Sequence, residues 1–194
     1  DILEPELRER VFRRFRHRLQ QVDLEHFDTG PLATTRLLEL LMREGEVDLA
    51  LNLLLKTDYP SLGHFLEQGL TVFPEEWSGL PPELRKRYPE FPAKQGKSYC
   101  HSSFSGAAFW LLQALAGIRP DEESPGLRRA LLAPQFSPRL PWARGSMEAS
   151  PGLIVSSWAW KGPETLEWEI VIPNGTEARV VPPRGYSVSD AATP

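Results

Sequence analysis

The hydrophobic period changes once in this chain, near Gly117, and that change limits the fold more than any other feature. Before it, apolar residues recur three and four apart, the spacing of a helix with one buried face. After it, they alternate, the spacing of strands with one buried face. The sequence predicts a helix from Pro5 to about Gln21, with Leu7, Val11, Phe15, Leu19 and Val22 on one stripe. Pro5 suits a first helical turn, where its missing N–H costs nothing. A second helix is expected over 31–43, with Asp28 or Thr29 as cap and Gly45 past its end. Further helices are expected over 47–56, from Leu62 to about Gly69, and over 104–115, with a short one at 83–87 inside a Pro- and Lys-rich stretch.

Beyond Gly117, strands are expected over 131–133, 143–150, 153–160, 165–172 and 176–181. Pro151-Gly152 and Gly162-Pro163 separate three of them, and Asn174-Gly175 is a hairpin signal between the last two. Leu166, Trp168, Ile170 and Ile172 alternate with Glu167 and Glu169, so one face of that strand is buried and the other wet. Trp142, Trp158, Trp160 and Trp168 read as core of this β-module. Asn174-Gly175-Thr176 also fits a glycosylation acceptor, but the turn alone accounts for it. The fold class is therefore multi-domain α and β: helical hairpins over 1–117, then an antiparallel β-sandwich over 118–194.

Composition excludes several functions. The net charge of −4 gives no basic surface for nucleic acid or an anionic membrane. No apolar run approaches the roughly 20 residues of a membrane span. The first residues show neither the basic nor the apolar region of a signal peptide. A single Cys, Cys100, rules out an internal disulfide, and it reads as a small packed hydrophobe. There is no metal-ligand spacing and no Gly-rich phosphate loop, so no cofactor or metal is expected. The arginines at positions 8, 10, 13, 14, 16 and 18 read as a solvated face with acid partners such as Glu9.

The chemistry is expected in the loop between Tyr59 and Gly79, where Glu75, Glu76 and Trp77 follow two helical segments. On residue types alone, Glu75 and Glu76 could be solvated loop acids, and Trp77 could plug a helical end or stack on a sugar. Carboxylates beside aromatics on a helical scaffold fit glycoside hydrolysis.

The order Thr29-Gly30, Thr34-Thr35-Arg36-Leu37-Leu38, Asp48-Leu49-Ala50, Leu53-Leu54, the 59–79 stretch and His101 resembles the α-L-rhamnosidases of glycoside hydrolase family 78. Gly117-Ile118, Pro120-Asp121-Glu122 and Trp142-Ala143-Arg144-Gly145-Ser146 resemble that family's passage from helical barrel to terminal β-sandwich. The resemblance implies part of an (α/α)6 barrel. Six hairpins need about a dozen helices, and about five are read here before the strands begin. It further implies an inverting hydrolase for terminal α-L-rhamnose, with the general acid on an upstream segment of the barrel in the same or another chain. Glu75 takes the family's general-base position, and His101, Trp77 and His64 are implied sugar contacts.

The motif departs from the family pattern. Thr71-Val72-Phe73-Pro74-Glu75-Glu76-Trp77 stands where the family has Thr-Thr-hydrophobic-Trp-Glu-Arg-Trp, so Pro74 replaces an aromatic and Glu76 a cation. Leu62 also stands where the family often has an aromatic. A related six-hairpin glycosidase with another sugar is one alternative. A non-catalytic carbohydrate-binding or scaffolding module is the other.

Overall fold

The computed structural model describes residues 3–77, 98, 100–124 and 127–189. It divides into two compact units, one of residues 1–37 with 49–105 and one of residues 38–48 with 106–194. The short helix expected at 83–87 lies outside the described residues.

Helix α1 is Pro5–Gln21, α2 is Pro31–Arg43, α3 is Val47–Leu55 and α4 is Leu62–Glu67. On α1 only Leu19 is buried, while Phe12 and Phe15 are half-buried and Leu7 and Val11 are exposed. Its basic face finds some of its expected partners. Arg13 meets Glu9 one turn back at 2.6 Å, and Arg18 meets Asp28 at 2.7 Å. Both pairs are exposed, where screening and side-chain entropy leave an ion pair little net stabilisation.

Glycine ends two helices where the backbone must turn left-handed. Gly45 has φ 77°, and the Glu46 and Gly45 amides donate back to Leu41 and Met42 at 2.8 and 3.2 Å. Gly69 has φ 74°, with the Leu70 and Gly69 amides donating to Phe65 and Leu66 at 3.0 and 2.9 Å. Each is a Schellman closure that satisfies carbonyls the helix leaves open.

The helix expected over 104–115 is broken into three pieces: a 3-10 turn at Ser102–Phe104, α5 at Gly106–Leu111 and a π-helical turn at Leu112–Ala116. External donors account for the wide last turn. The Gln135 amide donates to the Ala114 carbonyl at 2.7 Å, and Trp158 Nε1 donates to the Leu115 carbonyl at 2.7 Å. A helix whose carbonyls are taken from outside relaxes its own ladder. Gly117, at φ 75°, ends the segment.

Among the described residues six strands follow: β1 Ile118–Pro120, β2 Arg129–Leu132, β3 Trp142–Ala149, β4 Gly152–Trp160, β5 Leu166–Val171 and β6 Glu177–Val180. They form two three-stranded sheets, ordered β1-β2-β6 and β3-β4-β5. Ile118, Ala130 and Leu132 from the first sheet share one apolar core with Ile154 from the second, flanked by Met147, Trp168 and Ile170. That shared core makes the module a sandwich. As expected, Glu167 and Glu169 face solvent while Leu166, Trp168, Ile170 and Ile172 turn inward to partial burial.

Three details differ from the sequence reading. β1 was too short to show alternation, and Pro120 masks it. The Asn174-Gly175 turn forms, with the Thr176 amide donating to Pro173 at 3.1 Å, but it makes no hairpin. Pro173 has no N–H with which to continue the β5 ladder. The chain instead crosses to the other sheet, where β6 pairs with β2 in parallel, Leu132 opposite Val180. The other strand pairs are antiparallel. Lastly, Trp142 is not core: it starts the edge strand β3 and is 62 % exposed.

Candidate active site

The candidate site lies in the first unit, on the loop after α4 together with Ser98 and His101. An aromatic cluster supports it. Trp77 stacks on Phe27 at 5.2 Å and on Phe65 at 5.5 Å, and its ring centroid is 4.2 Å from that of Phe104. Phe73 reaches Phe104 edge-on at 6.4 Å. The Trp77 indole N–H donates to the Thr29 carbonyl at 2.7 Å, which ties the loop to the start of α2. Thr29 itself meets Thr34, its hydroxyl 3.0 Å from that of the buried Thr34, so the Thr29-Gly30 and Thr34 elements of the motif serve this anchor.

Phe73 and Trp77 are thus fixed in an apolar base, and the carboxylates lie between them in sequence. Glu75 is half-buried. Its backbone amide donates to the Ser98 carbonyl at 3.0 Å, and the Ser98 amide donates to its carboxylate Oε2 at 2.9 Å. Two residues earlier, the Phe73 carbonyl accepts from the His101 amide at 2.7 Å. These three bonds bring Glu75 and His101 to one paired stretch of backbone. His101 is exposed.

Glu76 is half-buried too, and its negative charge is felt at Tyr59. Burial first, then that charge, pushes the Tyr59 phenol above its ordinary range, because both disfavour a phenolate.

His64 sits on α4. Its backbone amide donates to the hydroxyl of Ser61, the helix N-cap, at 3.0 Å. Its Nδ1 lies 3.1 Å from the Thr57 carbonyl. A carbonyl only accepts, so Nδ1 carries a proton. Ser61 also donates to the carbonyls of Asp58, at 2.9 Å, and Lys56. Gly63 is required where the chain folds back on α3, since an added Cβ would stand 2.9 Å from the Leu55 carbonyl oxygen.

Of the expected sugar contacts, Trp77 is only 9 % exposed, with its ring against three phenylalanines. His64 is 6 % exposed on a capped helix. Glu75 is half-buried and His101 exposed, each bonded to a neighbouring stretch of backbone.

The sequence reading missed Phe27 and Phe104, which support the loop, and Ser98, which holds the carboxylate. The aromatic pair could have been found from helical spacing around Trp77. Ser98 lies 23 residues from Glu75 and leaves no local signal. Among the described residues, no group of three His, Cys, Asp or Glu side chains is placed to hold a metal ion. No described helix is long and apolar enough to cross a membrane.

Comparison with known proteins places this geometry in a family. Residues 1–115 match the bacterial alpha-L-rhamnosidase 6 hairpin glycosidase domain, and residues 117–191 match the bacterial alpha-L-rhamnosidase C-terminal domain. An alpha-L-rhamnosidase of Alteromonas sp. is 30 % identical over 170 residues, which is 88 % of this chain and 18 % of that protein. One from Formosa agariphila is 29 % identical over 97 % of this chain and 19 % of its own length. The chain therefore spans about a fifth of the curated relatives it matches.

Among solved structures, the native rhamnosidase of Aspergillus terreus shares the fold at a TM-score of 0.78 and 23 % identity, over 93 % of this chain and 20 % of that one. The Streptomyces avermitilis alpha-L-rhamnosidase complexed with L-rhamnose gives a TM-score of 0.72 at 26 % identity, over 84 % of this chain and 15 % of that one. With a six-hairpin glycosidase match over its helices and a C-terminal-domain match over its strands, the chain belongs to the bacterial alpha-L-rhamnosidase family.

Proposed function

We propose that this chain forms the last hairpins and the terminal sandwich of an inverting α-L-rhamnosidase, with the domains meeting at 117/118. Glu75 is its general base. The observation that carries this reading is the held carboxylate: Glu75 is half-buried, bonded by the Ser98 amide at 2.9 Å and set between two anchored aromatics on a hairpin loop.

The base draws a proton from a water as that water attacks the anomeric carbon, inverting its configuration. His101, at the rim beside it, orients a sugar hydroxyl. Trp77 and His64 shape the loop from beneath. The general acid comes from the remainder of the barrel, in the same or another chain, roughly 6.5–9.5 Å from Glu75 so that a water fits between. The substrate is a terminal α-L-rhamnoside of a glycoside or polysaccharide.

The Pro74-Glu75-Glu76 stretch supports a second reading, a related six-hairpin glycosidase for another sugar. Glu76 stands near Tyr59, where the family pattern has a cation, and this alters what the neighbouring subsite accepts.

The test uses the complete enzyme that carries this chain and an aryl α-L-rhamnoside, with the first-formed anomer followed by proton NMR. Glu75→Gln should lower kcat at least about 100-fold, the lower end for one positioned proton-transfer group. Glu76→Gln should cost far less. Full activity in Glu75→Gln would remove Glu75 from the role, and retention of configuration would remove inversion.

A further inference from the structure

The Glu75 carboxylate is held from across the loop, by a backbone donor 23 residues away. That donor is itself fixed. The Ser98 hydroxyl donates to the Cys100 carbonyl at 2.8 Å and accepts from the Cys100 amide at 3.2 Å, closing a small side-chain turn. On the far side of this turn, the His101 amide donates to Phe73 at 2.7 Å. Phe73 is anchored on Phe104, itself fully buried. Ser98 and His101 are therefore each bonded to the backbone that carries Glu75, Ser98 at Glu75 itself and His101 at Phe73.

From this we propose that Ser98 is a positioning residue for the reaction, resting on the reading of Glu75 as base. Its amide hydrogen bonds the carboxylate and its hydroxyl holds that amide in place. The bond does two things. It fixes the Oε2 edge of the carboxylate on the Ser98 backbone. It also favours the ionised carboxylate, the form that accepts a proton, because a donor to the charged state stabilises that state. Ser98 touches neither sugar nor water; it acts through Glu75.

Two variants separate the amide from the hydroxyl. Ser98→Ala keeps the N–H and loses the turn-closing bonds. Ser98→Pro loses the N–H. In the complete enzyme, Ser98→Pro should move the acid limb of the kcat/KM profile up by about one pH unit, the effect of one lost charge-assisted hydrogen bond. It should lower kcat with little change in KM. Ser98→Ala should move the acid limb the same way by a smaller amount, because the amide stays but loses the bonds that hold it. An unchanged acid limb in folded Ser98→Pro would overturn the inference while leaving Glu75 free to be the base. Full activity in Glu75→Gln would instead overturn the base reading on which it rests.

Because proline can disturb the turn, a second measurement needs no Ser98 variant. In the amide NMR spectrum of this chain, the Ser98 proton should move upfield as pH falls through the carboxylate range. That movement should vanish in Glu75→Gln. A Ser98 resonance that ignores pH, or titrates equally in Glu75→Gln, overturns the proposal.

Discussion

Trp77 has a packing role that the structure makes explicit. It lies in the loop that carries the carboxylates, but its indole is spent on Phe27, Phe65, Phe104 and the Thr29 carbonyl. Trp77→Phe keeps most of the packing and strands the Thr29 carbonyl, which should cost about 1 kcal/mol. Trp77→Ala also empties the centre of the cluster and should cost about 3–5 kcal/mol. Urea unfolding followed by circular dichroism separates the two. Equal small losses would mean that Trp77 is not a structural anchor.

Asp121 is the second residue whose environment makes a measurable claim. Its carboxylate is buried, 2.8 Å from Arg129 and 3.4 Å from Arg179, and it accepts from the Glu123 amide at 3.1 Å. The bond from Arg129 above all, helped by that amide, holds its pKa below the ordinary carboxylate range. A carboxyl depressed in the folded state adds stability above its unfolded value and loses it as pH falls through the folded one. The contribution is therefore complete at neutral pH and fades below about pH 4. Between pH 7 and pH 3, the urea midpoint of Asp121→Asn should fall less than that of the parent. Equal falls would remove Asp121 from the acid response.

At the scale of elements, α1 and α2 were legible because their apolar spacing is uninterrupted and proline marks each start. The segment after Ser102 was legible as helical but not as three pieces. Its break comes from Gln135 and Trp158, which bond its carbonyls from far along the chain. The Asn174-Gly175 turn was legible, its destination was not, since strand pairing depends on which sheet offers an open edge. The loop that carries Glu75 was legible through its motif, whereas its bond to Ser98 was hidden by distance in sequence. Close packing adds a test here. Gly145 on β3 lies against the π-helical turn, and an added Cβ would stand 2.5 Å from Ala116 Cβ and 2.7 Å from Leu112 Cδ1. Gly145→Ala should cost about 1–3 kcal/mol by overpacking and lower Tm by roughly 2–10 °C. An unchanged Tm would show that strand and turn have room to separate.

At the scale of the whole molecule, the chain is about a fifth of its relatives, and α1 presents apolar side chains to solvent. Leu7 and Val11 are 36 % and 48 % exposed. The proposed barrel gives those side chains a neighbour. Leu7→Glu with Val11→Glu should then stay within about 0.5 kcal/mol of neutral per site in this chain, as exposed substitutions do, but destabilise the complete enzyme clearly. Calorimetry of both forms compares them, and an equal effect in the two would deny α1 a partner face.

Glu75 is the proposed activator of water, and azide tests this directly. Azide attacks without giving up a proton, so it needs no base, while the general acid and the sugar subsite still act. In the complete enzyme, Glu75→Ala should hydrolyse an aryl α-L-rhamnoside at least about 100-fold more slowly than the parent. Added azide should restore turnover and yield the rhamnosyl azide of inverted configuration. Rescue confined to Glu76→Ala, or an azide product with retained configuration, would contradict the assignment.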